Sequence, residues 1–224
     1  MYNTSMRNIK IAPGEYYHIF NRGMAKQKIF LDKRDWIRFL FLILHFQSPI
    51  TFINIGRPVK QYVKHSVFNV SKEEKLEIVQ KRYVELTAFC LMPNHFHLIV
   101  KEVEEGGIAR YMQRVLNSYT KYINTKYKRS GHLFQGPYKA VHVSGNTQLL
   151  HLSAYIHKNP RELPGWKDKE MKYEWSSYQD FALKNRWDKL IVPQIIDDQF
   201  KDKDGYKEFI ETSTAKMSPE DFKI

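Results

Sequence analysis

Apolar residues recur along this chain with two different periods, and the changes of period mark out its elements. Residues 16–23, YYHIFNRG, mix aromatic and β-branched side chains and end in glycine, which predicts a strand running into a turn. From Leu31 to about Gln47 the spacing of Trp36, Phe39, Leu40, Ile43 and Leu44 is helical, with Asp32 placed as N-cap and Asp35 in the first turn. Residues 48–82 contain Pro49, Gly56 and Pro58, then Ser71 and Glu74 at capping-box spacing before a short helix, and read as an insertion. The runs 83–92 (YVELTAFCLM) and 95–103 (HFHLIVKEV) predict two strands joined as a hairpin by Pro93-Asn94.

Beyond Gly106-Gly107, the residues Ile108, Met112, Val115, Leu116, Tyr119 and Ile123 form one helical stripe to about Tyr127, and Gly131 follows it. Tyr119 belongs to the centre of that stripe, whereas Tyr111 and Tyr122 lie beside it, where they could touch a nucleic acid. Residues 133–143 suit an edge strand that tolerates Gly136 and Pro137, and 146 to about 158 predict a further helix stopped by Pro160. The order strand, helix, hairpin, helix, strand, helix is an α+β pattern, most simply a ferredoxin-like antiparallel sheet covered by helices. Short helical stretches after Pro160 predict a small helical extension. The chain is therefore expected to divide into 1–160, interrupted at about 48–82, and 161–224.

Composition narrows the setting. A mean hydropathy of −0.55 with 42% hydrophobic residues describes a globular chain, not a low-complexity one. The longest apolar run, Trp36 to Phe46, is broken by Arg38 and falls short of the roughly 18 residues that cross a bilayer. The first residues lack the apolar segment of a secretory signal, and the single cysteine, Cys90, suits a small buried hydrophobe. A reducing cytoplasm without membrane attachment is the expected location.

Charge changes the picture further. The net charge is +12, but residues 1–161 carry +15 and residues 162–224 carry −3. No carboxylate occurs in the 56 residues between Glu105 and Glu162. That stretch instead interleaves Arg110, Arg114, Lys121, Lys126, Lys128, Arg129 and Lys139 with Tyr122, Phe134 and Tyr138. Cations for phosphates and rings for unstacked bases suit a single-stranded nucleic-acid site, although a solvated basic face would look the same.

A possible reaction centre lies elsewhere in the pattern. Alternation in a strand puts His95 and His97 on one side and Phe96 and Leu98 on the other, so two imidazoles stand together as half of a metal site. On the last helix Tyr155 and Asn159 are one turn apart and share a face, offering an amide oxygen as a third ligand and a phenol as a nucleophile. Tyr155 could equally be a half-buried residue packing that helix onto the sheet. His151 precedes Tyr155 by a turn and could assist, while His18, His132 and His142 read as surface or DNA-facing residues.

The run Leu91-Met92-Pro93-Asn94-His95-Phe96-His97-Leu98-Ile99-Val100, followed by Tyr155-Ile156-His157-Lys158-Asn159-Pro160, resembles the single-tyrosine HUH transposases. It is most similar to the bacterial REP-associated tyrosine transposases. Tyr17-His18-Ile19-Phe20-Asn21-Arg22-Gly23, the segment Gly131 to Lys139 and Trp175-Ser176-Ser177-Tyr178 fit the same pattern, so the resemblance spans roughly 15–47 and 83–181. It implies the HUH nuclease fold and a metal-dependent enzyme that nicks and rejoins single-stranded DNA, with hairpin-forming repeats as partner and a monomer or homodimer as the working unit. It further implies that His95, His97 and Asn159 bind Mg²⁺ or Mn²⁺ and that Tyr155 attacks the scissile phosphate, leaving a 5′-phosphotyrosine and a 3′-hydroxyl. Two other classes stay open on the residues alone: a non-catalytic single-stranded nucleic-acid-binding protein, and a metal-dependent phosphodiesterase that uses water.

Overall fold

The alternating segments pair into one antiparallel sheet, described by a computed structural model that covers residues 10–52, 54–66 and 70–214. The strands β1 (Tyr16–Arg22), β2 (Val84–Met92), β3 (His95–Glu102) and β4 (Lys139–His142) lie in the order β2-β3-β1-β4. Helix α1 (Lys33–His45) follows β1, α2 (Gly56–His65) and α3 (Lys72–Gln80) fill the insertion, α4 (Gly107–Lys126) joins β3 to β4, and α5 (Asn146–Lys158) follows β4. This is the α+β, ferredoxin-like arrangement that the order of elements predicts.

Register decides which side chains share a face. His97 of β3 stands opposite Phe20 of β1 and Cys90 of β2, and His95 opposite Arg22 and Met92. Directly opposed residues point the same way. Phe96 and Leu98 therefore point to the other face, where Phe96 meets Phe39 of α1 at 5.1 Å between ring centres. Helices α1 and α4 cover that apolar face, and α5 lies over the histidine face.

Local chemistry fixes each covering helix. At the start of α1, the Asp35 backbone N–H donates to Asp32 Oδ1 (3.0 Å), as expected of Asp32 as N-cap, and the Asp32 N–H donates to Asp35 Oδ2 (3.2 Å), which closes a full capping box. Buried Asp35 also accepts from Tyr122 Oη (2.9 Å), Lys126 Nζ (2.7 Å) and Tyr127 Oη (2.7 Å), tying α1 to α4. The buried carboxylate of Glu102 accepts from the N–H groups of Gly107 (3.0 Å) and Ile108 (2.6 Å), so a negative charge sits at the positive end of α4. Gly107 is required there, because a Cβ would lie 2.2 Å from the Tyr83 carbonyl oxygen.

The edge strand is shorter than its sequence suggests. Only Lys139–His142 pairs with β1; Phe134 makes an isolated bridge to Gly23, and between them Gly136 turns at φ +74° and Pro137 brings no N–H to a ladder. At the opposite edge, the chain after Pro160 returns along β2. Leu91 N–H donates to Trp175 O, Ser177 N–H to Phe89 O and Val192 N–H to Leu86 O, each at 2.9 Å. This stretch also contains α6 (Tyr178–Ala182), α7 (Gln194–Asp197) and α8 (Lys203–Thr212). His157 of α5 is buried between Tyr206 Oη of α8 (2.6 Å) and Ser177 Oγ (2.8 Å), which anchors α5. The two ends of the expected division, 1–9 and 215–224, lie outside the described residues, as do 53 and 67–69 within the insertion. Among the described residues no helix is long and apolar enough to cross a membrane.

Candidate active site

His95 and His97 leave β3 toward α5, and their rings stand 5.1 Å apart at 84°. Tyr155 of α5 comes down onto the same spot, its ring 5.4 Å from that of His97. A cavity of about 580 Å³ is lined by both histidines, Tyr155, Arg22, Lys26, Lys139 and Glu162 among others. Residues far apart in the chain thus meet because β1 and β3 are neighbours and α5 crosses their shared face.

The amides around His95 determine which of its nitrogens is a lone pair. Asn94 Nδ2 donates to Lys26 O (3.1 Å), which turns Asn94 Oδ1 toward His95 Nδ1 at 2.7 Å. Asn159 Nδ2 donates to the Tyr155 carbonyl (3.2 Å), which turns Asn159 Oδ1 toward His95 Nε2 at 3.4 Å. The ring proton belongs on Nδ1, where Asn94 accepts it. Nε2 and Asn159 Oδ1 are then two acceptors facing each other, an arrangement that a cation relieves. Burial, reinforced by the charge of Arg22, holds His95 below the usual imidazole range against a contrary pull from Asn159. Burial together with His18 and His95 depresses His97 further, so both rings are neutral near pH 7 and able to ligate. Two imidazoles and an amide oxygen suit a divalent ion of the first transition row or Mg²⁺. Among the described residues no group of three or more His, Cys, Asp or Glu side chains is placed to hold a metal; the oxygen facing His95 Nε2 is that of the Asn159 amide.

Tyr155 sits in a less favourable place for ionisation. Burial pushes its phenol up to about 12, opposed by the Asn159 side chain and reinforced by the Glu162 carboxylate. A neutral phenol needs positive charge at the group it attacks. Arg22, Lys26 and Lys139 place positive charge around the cavity, with Arg22 Nε donating to Gln135 Oε1 at 2.7 Å.

Not every expected residue reaches a binding surface. Arg110 and Lys121 line a groove of about 910 Å³ beside α4, together with His132, and Arg129 lies nearby, donating to His132 O at 3.3 Å. Phe134 and Tyr138 border it too but are buried, Phe134 against Phe96 and Tyr119, so the rings expected to stack on bases belong to the core. Lys128 follows α4 with φ +49°, and Lys139 lines the histidine cavity instead of the groove. Three others turn inward. Arg114 donates to the backbone oxygens of Ser48 and Ile50 and to Tyr83 Oη, fastening the insertion, while Tyr122 and Lys126 bind Asp35. Their helical positions face α1 and the insertion, not the groove. Tyr111 is also buried, donating to Ile43 O at 2.7 Å. His151 is exposed and its ring lies 6.4 Å from that of Phe209, away from the centre it was expected to assist.

Sequence reasoning missed Arg22, Lys26 and Glu162 of the cavity and His18 behind His97. His18, expected at the surface, is buried, and its Nε2 lies 2.9 Å from His97 Nδ1. The signal was the alternation in β1 that puts His18 and Phe20 on one side, but it has meaning only once β1 is known to pair with β3.

Comparison with known proteins agrees with this architecture. The family model described as "Transposase IS200 like" matches residues 47–159, just over half of the chain. The chain belongs to the IS200-like transposase family. A solved structure of a REP-associated tyrosine transposase bound to a REP hairpin is similar in fold, with a TM-score of 0.51 and 14% sequence identity over 80% of this chain and 85% of that one. No curated protein sequence matches the chain.

Proposed function

We propose that this transposase nicks single-stranded DNA and transfers the strand through a covalent tyrosine link. The observation that carries the reading is the convergence of His95, His97 and Tyr155 on one cavity ringed by Arg22, Lys26 and Lys139, with the buried Asn159 Oδ1 3.4 Å from His95 Nε2. His95, His97 and Asn159 would hold Mg²⁺ or Mn²⁺, which when bound polarises the scissile phosphate as a Lewis acid. The three cations offset the charge of the DNA backbone and keep the phosphate beside the phenol. Tyr155 Oη bonds to phosphorus as the bond from phosphorus to the 3′ oxygen breaks; the phenol loses its proton and the 3′ oxygen ends as a hydroxyl. The phosphotyrosine conserves the broken phosphodiester, so attack by another 3′-hydroxyl reverses the step without ATP.

Hairpin-forming single-stranded DNA is the proposed partner, supported by the REP hairpin held by the fold-similar transposase. Arg110, Lys121, Lys128 and Arg129 would grip it along α4, while Arg114, Tyr122 and Lys126 serve the fold and the buried rings of Phe134 and Tyr138 support the groove from below. Such a substrate is met in the cytoplasm. Residues up to about 160 carry all the groups that this chemistry uses, and the active site is built within one chain.

A labelled oligonucleotide carrying a hairpin and its flanks, incubated with Mn²⁺ and resolved on a denaturing gel, tests the reading. The expected result is a protein-linked band that Tyr155→Phe abolishes. Cleavage without a linked product would favour a water-using phosphodiesterase, and binding without cleavage that survives His97→Ala would favour a non-catalytic binder.

A further inference from the structure

We infer that His18 is a positioning residue that selects the tautomer of His97, keeping the His97 ring proton on Nδ1 and its Nε2 lone pair on the cavity side. His18 is 1% exposed and His97 4%. Their nitrogens Nε2 and Nδ1 approach to 2.9 Å with the ring planes only 22° apart, so the two imidazoles meet nearly edge to edge. Phe20, opposite His97 in the register, packs on the His18 ring at 4.7 Å and holds its orientation.

A contact between two neutral imidazoles holds one proton. If His97 donates it, His97 Nε2 is a lone pair and can ligate. If His18 donates it, His97 carries its own proton on Nε2 and cannot. Ligation by His97 through Nε2 therefore requires His18 Nε2 to act as acceptor. His95 is arranged in the same sense, with its Nδ1 facing Asn94 Oδ1 at 2.7 Å. Two ring nitrogens are thus backed by acceptors of different kinds, an amide oxygen and a third imidazole. His18 lies outside residues 47–159, so the family match does not assign it a role.

The choice of His97 as donor rests on the proposed metal site, since the 2.9 Å contact alone fits either tautomer; its test does not require the metal. Long-range proton–nitrogen NMR of ¹⁵N-histidine-labelled, metal-free protein reads the tautomer directly. The expected spectrum has His97 protonated on Nδ1 in the wild type and shifted toward Nε2–H in His18→Phe, which keeps a ring but removes the acceptor. Mn²⁺ titration followed by EPR should then show binding weakened about 10- to 100-fold in His18→Phe and largely recovered in His18→Gln, whose amide oxygen can accept. An Nε2–H tautomer of His97 in the wild type, or wild-type Mn²⁺ affinity in a folded His18→Phe, overturns the inference. Failure of the wild type to take up Mn²⁺ overturns the metal reading and the consequence drawn from it, while the metal-free spectrum still decides the pairing.

Discussion

Asp35 carries more of the fold than any other single carboxylate in the covering layer. It is fully buried, closes the N-terminus of α1, and accepts from Lys126 and from two tyrosine hydroxyls of the α4 region. Removing a buried charge that several donors depend on strands all of them. Asp35→Ala should cost about 3 kcal/mol or more, measured as a lowered urea midpoint, with unchanged stability as the contrary result. Half of this role was legible: the spacing of Asp32 and Asp35 gives the cap. The bonds from Tyr122 and Lys126 were not, because their place in a carboxylate-free basic stretch suggested phosphates, and only the packing of α4 on α1 shows which partner they meet. The same limit applies to the site. His95 and His97 declare themselves by alternation and Tyr155 and Asn159 by helical spacing, whereas His18 depends on which strand lies next to it.

At the scale of elements, hydrophobic period and turn residues were sufficient for the strands and for α1, α3, α4 and α5, but not for α2, which forms within the insertion around Pro58. The two-residue Pro93-Asn94 turn, the capping boxes of α1 and α3, and the end of α5 at Lys158 before Pro160 are all local signals. The segment 133–138 departs from strand because its local breakers, Gly136 and Pro137, outweigh the apolar pattern around them. The start of α4 was unmarked by any cap residue, since its capping carboxylate arrives from the end of β3. Glu102→Ala should leave the Gly107 and Ile108 N–H groups without that acceptor and cost about 2 kcal/mol, read from thermal or urea unfolding. An effect within a few tenths of a kcal/mol would show that the helix end finds other partners.

For the molecule as a whole, one buried base sets a pH dependence. His45 stacks on Phe41 at 3.9 Å and is held down to about 4 by burial, with Lys75 adding to the effect and a bond to Phe41 O opposing it. The folded value lies below the unfolded value of about 6.5, so as pH falls through 6.5 the unfolded chain takes up the proton first. This contribution is complete above pH 6.5 and is lost toward pH 4; about 2 kcal/mol should be gone at pH 5. Urea midpoints at pH 7 and pH 5 should differ more for the wild type than for His45→Leu; equal differences would remove His45 from that role. Tyr155 lies 5.4 Å from His97 of the same chain, so under the proposed function mixing Tyr155→Phe with His97→Ala should not restore the linked product, and recovery of the band would mean that copies share their sites. The strip from Trp175 to Val192 also has a protective duty. A chain cut before Trp175 would bare the margin of the sheet, and its copies should stick side by side, visible in light scattering as growing particles.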